Sequence, residues 1–267
     1  MREGVPRRIG GPGPARTRAS HDPPNHQGCA ISSVRLRPPA QRGEPRAELH
    51  DRHEDGHRLH HLLWRLGPGF RVCSSAVLGG GIGPRAWVLN AQVPGGYPRL
   101  DPDRHLAEIA AAEGLTGQGA GLMTAAEVAA YTSAHDGGVT ATVTTGLGVR
   151  GWAAAPETGR RSGEAPADDV PAAPFRPGTV NIVVAVPVPL SDAALVNAVA
   201  TATEAKVQAL LDAGLDCSGT PTDAVCVIAP EPGTEGGEPF AGPRSTWGAR
   251  IARAVHGAAL AGARPAR

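Results

Sequence analysis

Along the chain, apolar positions gather in short runs separated by glycine, proline and polar residues, and the period of each run assigns its element. Runs rich in β-branched residues predict strands over residues 71–78, 85–93, 139–145, 179–188 and 224–229. Helical patterns with readable ends lie between them. Asp101 and Pro102 read as an N-cap followed by proline at the first helical position, and Gly114 closes that helix. Thr124 and Glu127 have the spacing of a capping box, with Met123 and Val128 as its hydrophobic staple, and predict a short helix. Ser191 opens a long helix that runs to Gly214, stapled by Leu190 and Leu195, and Ser245 or Thr246 opens a last one ending near Ala263. Residues 153–177, rich in alanine, proline and charge, read as a surface loop. Strands and helices alternate without a fixed repeat, which predicts an α/β fold, with α+β as the variant: a layered single domain with a mixed β-sheet flanked by helices.

Composition changes the picture chiefly at the N-terminus. Residues 1–45 hold 14 Gly or Pro and show neither period, so they read as a disordered tail or as translation started too far upstream, and the domain as residues 46–267. That tail carries eight Arg against three acids; subtracting its +5 from the net charge of +1 leaves the rest at −4, which argues against a nucleic-acid partner. No apolar run approaches the ~20 residues of a membrane-spanning helix, so a water-soluble cytoplasmic protein is expected. The 4 cysteines form no Cys-x-x-Cys pair and are expected to be reduced, packed thiols.

Several groups could carry chemistry. A helical wheel of the long helix turns Leu195, Val196, Val199, Ala200, Val207, Leu210 and Leu211 inward with Thr203 near their centre, and Ala194, Asn197, Ala198, Thr201, Ala205, Gln208 and Asp212 outward. Glu204 and Lys206, the only lysine, flank the inward face; they either line a pocket with Thr203, or Lys206 reaches to water and Thr203 bonds back to its own helix. Thr220, Thr222 and Asp223 run straight into a strand, which delivers two hydroxyls and a carboxylate to a sheet end, although turns use the same residues. His50, His53, His57, His60 and His61 crowd one segment. On a helix His50, His53 and His57 would share a face and could bind a metal, but Gly56 and the surrounding arginines favour a solvated polar segment. The glycine-rich stretch over residues 79–84 reads as a plain turn between strands, because a phosphate cradle needs a helix directly after it.

Three segments of the second half resemble the adenosylcobinamide amidohydrolase family: residues 178–184 with 201–206, residues 219–224, and residues 241–248. Residues 75–81 together with 88–90 resemble it as well, so the likeness covers most of the chain from Glu48 onward. The resemblance implies a corrinoid small-molecule substrate and hydrolysis of the amide that joins an aminopropanol arm to the macrocycle, giving adenosylcobyric acid and (R)-1-aminopropan-2-ol in cobamide salvage. It implies no cofactor and assigns no metal. The roles expected on this basis are Asp223 or Glu204 as general base, Lys206 as oxyanion or leaving-group partner, and Thr220 or Thr222 as positioning hydroxyl or nucleophile. Asn90, Asn181, Thr203, Ser245 and Thr246 are expected to bind substrate. Pro221 stands where relatives commonly carry glycine, which stiffens the loop. A carrier or sensor that binds a corrinoid without turnover is the alternative of a different class; a nucleotide-dependent enzyme built on the glycine run is a third.

Overall fold

A computed structural model describes residues 43–155, 178–234 and 236–264. Most of the expected tail, Cys29, and most of the loop over 153–177 lie outside the described residues. The elements in order are β1 Glu48–Glu54, β2 His57–Arg65, β3 Phe70–Ser74, β4 Gly81–Pro84, β5 Trp87–Gln92, α1 Pro102–Ala112, β6 Gly119–Thr124, β7 Thr132–Asp136, β8 Val139–Leu147, β9 Gly178–Ala185, α2 Asp192–Asp212, β10 Ala224–Pro230 and α3 Thr246–Ala263.

The fold is α/β as expected, but the strands divide between two mixed sheets instead of forming one. The smaller has the order β1-β2-β5-β6 and the larger β4-β3-β10-β9-β8-β7. β9 and β10 are parallel, joined by a crossover through α2, and β5 and β6 are parallel through α1; every other neighbouring pair is antiparallel. Alternation along each strand explains the stacking. Val180, Ile182 and Val184 of β9, with Val225 and Val227 of β10, face α2 and α3. The intervening Val183, Cys226 and Ile228 face Leu62, Trp64, Val88 and Leu122 of the smaller sheet. On that sheet's other side Leu63, Leu89 and Ala91 pack on Leu106 and Ile109 of α1. The result is four layers: α1, small sheet, large sheet, and the α2–α3 pair.

Several boundaries differ from expectation for local reasons. β3 stops at Ser74, whose hydroxyl accepts from the Ala76 amide and donates to the Val225 carbonyl, so residues 75–80 leave the larger sheet and reach the smaller one, where Leu78 bridges Gly121. The expected glycine turn is largely a strand of its own, β4, paired to β3. Gly79, just before it at φ +63°, answers crowding: a Cβ there would sit 2.0 Å from the Gly119 carbonyl. Thr124 and Glu127 form no capping box. Thr124 instead receives the Ala126 amide, and Glu127 caps a single 3-10 turn over Val128–Ala130. Asp101 gives no side-chain cap to α1, because both its oxygens are held by Arg99. The histidine segment is neither helix nor loose loop. It is the β1–β2 hairpin, reversed by Asp55 at φ 48° and Gly56 at φ 78°, so the helical face of His50, His53 and His57 does not exist.

The wheel for α2 is overturned most clearly. Its buried residues are Ala194, Leu195, Ala198, Thr201, Ala202, Ala205, Lys206, Ala209 and Leu210, whereas Val196 and Leu211 are exposed. Small side chains let α2 approach β10 and α3 closely, and this outweighs the greater hydrophobicity of valine and leucine on the opposite side. Cys226 is wholly buried and its thiol is pushed up to about 12 by desolvation; Cys73 and Cys217 are also free. Among the described residues no helix is long and apolar enough to cross a membrane.

The alanine stripe makes a direct prediction. Ala202→Leu overpacks the helix–sheet contact and lowers unfolding free energy by about 1–3 kcal/mol. Val196→Ala, made on the side the wheel had turned inward, stays within about 0.5 kcal/mol of the parent in a urea titration.

Candidate active site

The apolar face of α2 ends at the C-terminal part of the helix, where Lys206 points to the start of β10. Its ammonium lies 2.5 Å from Asp223 Oδ2, and the two side chains are only 7% and 13% exposed. Asp223 immediately precedes β10 and has the parity of Val225, so its carboxylate turns to the helix side of the larger sheet. It accepts three further hydrogen bonds: from the Val180 amide at 2.8 Å, from the Thr220 amide at 3.2 Å, and from the Thr220 hydroxyl. Four donors therefore converge on one carboxylate, which is how a buried charge is tolerated.

Gly219 makes this convergence possible. A Cβ there would fall 2.2 Å from Asp223 Oδ2 and 2.5 Å from Lys206 Nζ, so only a bare Cα fits. On the neighbouring strand Thr179 meets Thr222, hydroxyl to hydroxyl, at 2.6 Å, and Thr222 donates to the Gly178 carbonyl at 3.1 Å. Thr222 is exposed and Thr220 half-buried, so this cluster opens to solvent at the sheet end. Residues 149–152 run beside it: the Gly151 amide donates to the Gly219 carbonyl at 3.0 Å, and Val149 packs on Gly178. Val149 and Trp152 stay 50% and 44% exposed, giving the rim of a charged site an apolar character.

Lys206, Thr220, Thr222 and Asp223 thus meet as one cluster, joined by Gly219 and Thr179. Thr203 and Glu204 do not join it: both are exposed, and Thr203 donates back to the Val199 carbonyl at 2.9 Å. Asn90 and Asn181 do find each other, at 2.8 Å, with Thr144 at 3.0 Å and the Met123 carbonyl at 3.0 Å. That network is buried between the two sheets, on the face of the larger sheet opposite Asp223, and each asparagine is 1% exposed. Asn181 Oδ1 alone in it lacks a partner. Ser245 is the N-cap of α3, accepting from the Gly248 amide, and its hydroxyl also bonds the Gly242 carbonyl. α3 packs its far end, at Gly262, on Thr145 of β8, which pairs with Val180. Ser245 and Thr246 consequently stand about 24 Å of helix away from that end, at a rise of ~1.5 Å per residue.

Gly219 and Thr179 went unassigned in the sequence although both lie inside the family-like segments; only the packing reveals the close approach that one permits and the pairing that the other makes. A separate cleft of about 460 Å³ lies between α1 and the small sheet, walled by Leu78, Trp87, Ala110 and Leu115. It is separated from Asp223 by both sheets, and its one arginine, Arg85, is spent on the Gly79 carbonyl.

A sequence profile described as adenosylcobinamide amidohydrolase matches residues 46–266. The adenosylcobinamide amidohydrolase of Methanosarcina mazei is 31% identical over 188 residues, covering 68% of this chain and 84% of that protein. With the layered α/β fold and its polar sheet end, these matches class the chain as a hydrolase of amide bonds. It belongs to the adenosylcobinamide amidohydrolase family.

The buried pair is open to a stability test. Lys206→Met removes one partner and leaves the Asp223 carboxylate short of its charged donor, at a cost of about 3 kcal/mol. Thr203→Ala, three residues earlier and exposed, costs less than about 0.5 kcal/mol in the same denaturation experiment.

Proposed function

We propose that the chain hydrolyses the amide joining the aminopropanol arm of adenosylcobinamide to its corrin ring, releasing adenosylcobyric acid and (R)-1-aminopropan-2-ol as a salvage step in cobamide synthesis. The observation that carries this reading is the Lys206–Asp223–Thr220 cluster at an open sheet end, inside the family-matched region. Amide hydrolysis needs a base for the attacking water and a positive group for the tetrahedral oxyanion, and this cluster supplies both.

Asp223 accepts its hydroxyl contact from Thr220, so a proton from the substrate side reaches the carboxylate through that hydroxyl. In the proposed step, water attacks the carbonyl carbon, passes its proton to Thr220 Oγ1, and Thr220 passes its own to Asp223 Oδ1. The ammonium of Lys206 stabilises the oxyanion as it forms. When the C–N bond breaks, the proton held by Asp223 returns along the same route to the leaving amine. Thr222 and Thr179 hold the Thr220–Asp223 loop against β9. The exposed Trp152 and Val149 offer apolar area for a broad macrocycle beside the charged pair, whereas the cleft beside α1 has apolar walls but no such pair. Glu204 faces away from the cluster and does not serve as base in this reading.

Release of aminopropanol from adenosylcobinamide measures the reaction directly. Asp223→Asn and Lys206→Met each lower kcat by at least about a hundredfold, in line with loss of a general base or an oxyanion donor. Thr220→Val also lowers kcat, while Glu204→Gln retains parental turnover. Corrinoid binding without release by the parent protein would establish a carrier and overturn the enzymatic reading. Full turnover in Asp223→Asn would overturn the residue roles.

A further inference from the structure

On the outer face of the small sheet, far from Lys206, three side chains from three elements converge. His50 of β1 and His61 of β2 are register partners, and their rings stack with centroids 5.4 Å apart. Glu113, the residue that ends α1, reaches both: its Oε2 is 3.2 Å from His50 Nδ1 and its Oε1 is 3.1 Å from His61 Nε2. The ligand atoms of all three lie within 4.8 Å of one another. We propose that His50, His61 and Glu113 form a binding site for one Zn²⁺ ion, which clamps the β1–β2 hairpin to the end of α1.

Four observations support the site. His61 is fully buried, yet neither ring nitrogen has a hydrogen-bond partner, and the 3.1 Å approach to Glu113 lacks hydrogen-bond geometry. A buried imidazole without a partner is costly, and a bound ion removes that cost. Second, His50 directs Nδ1 to Glu113 while its other nitrogen, Nε2, lies 3.4 Å from Glu48 Oε2. A carboxylate behind a ligating histidine fixes the ring and its tautomer, as in metal centres generally. Third, ligand atoms ~2.0–2.1 Å from a tetrahedral zinc sit about 3.3 Å apart; each imidazole lies at about that distance from one Glu113 oxygen, at 3.2 and 3.1 Å, so a small turn of the carboxylate brings the three groups around one ion. Fourth, Glu113 places a negative charge at a helix C-terminus whose last turn has no basic residue, which opposes the helix dipole; a dication at that point reverses the sign.

The surrounding charge suits a dication. Glu48 and Glu113 contribute two negative charges. Arg65 balances part of this, 3.6 Å from Glu48 and 3.9 Å from Glu113. Arg52, on the same face of β1, is turned to Glu54 and to the Gln92 carbonyl. Two imidazoles and one carboxylate form a nitrogen and oxygen set of the kind zinc accepts, with the solvent side of His50 and Glu113 free to admit a water as fourth ligand. The site is structural, because both sheets separate it from Asp223. β1 is the outer strand of its sheet; among the described residues its Glu54 already meets His105 of α1 at 2.7 Å and its Arg52 the Gln92 carbonyl of β5, so the ion adds a second fastening to α1, at the helix's other end.

The test uses the full chain stripped with a chelator and dialysed against Zn²⁺. The expected result is one ion per chain, with a higher Tm that chelator reverses, and a Co²⁺ derivative with visible bands of four- or five-coordinate geometry. His50→Ala and Glu113→Gln weaken zinc affinity at least about a hundredfold and Glu48→Gln about tenfold. His53→Ala, on the opposite face of β1, and the double variant His21→Ala/His26→Ala in the N-terminal segment leave it unchanged. His50 is half-buried, so its variant folds even where His61→Ala does not. No zinc uptake, or equal affinity in parent and His50→Ala, overturns the site. Loss of aminopropanol release on zinc removal, with Tm unchanged, overturns its structural role.

Discussion

Two neighbouring strands, β9 and β10, carry apolar side chains on both faces, and the rest of the molecule is arranged to keep water from both. Residues 180–186 are buried without interruption, so no one-sided cover would suffice. Helices α2 and α3 close one face and a second sheet closes the other; that sheet, in turn, has an outer face covered, among the described residues, by α1. The four-layer order follows from this single requirement. It also sets where polar chemistry can occur: between the sheets Asn90, Thr144 and Asn181 bond one another, with Asn181 Oδ1 left over.

The Lys206–Asp223 cluster sits where this two-sided burial ends. At Asp223 the chain passes from loop into β10, and the same position is roofed by the last third of α2. An alanine-lined helix rides close to the sheet, so its one lysine meets a strand-end carboxylate without extending into solvent. Backbone amides of Val180 and Thr220 hold that carboxylate from the strand side. The geometry is rigid because each donor belongs to a different element already fixed by the apolar layers. Glycine at position 219 is the steric condition for all of it.

Much of this was legible before any coordinates. The strands in the second half, both serine-capped helices and the α/β class follow from β-branched runs and capping residues, and the family-like segments point to Lys206, Thr220, Thr222 and Asp223. What failed did so for identifiable reasons. The wheel of α2 weighs valine and leucine above alanine, whereas close packing rewards alanine; Thr203 and Glu204 share the family-like segment 201–206 with Lys206 but lie on the exposed side of the helix. β1 was hidden because all its residues but Leu49 are polar, although Asp55-Gly56 is a turn signal that could have marked the hairpin. The division into two sheets depends on Leu78 crossing to Gly121, and no local pattern encodes such a crossing. His61 and Glu113 are 52 positions apart and meet only through the packing of α1 on β2.

β3 is held in the larger sheet by β10 on one side and by the short β4 on the other, and the Ser74 to Val225 contact joins residues 151 positions apart. During synthesis this strand leaves the ribosome with its inner edge bare and stays so while most of the domain is still being made. The hairpins and the α1 crossover can form early, but the layer that unites them waits for nearly the last strand. A nascent chain of this design therefore exposes apolar edge for roughly 8–30 seconds at ordinary elongation rates of about 5–20 residues per second, which makes it a natural client for chaperones that shield unpaired strands.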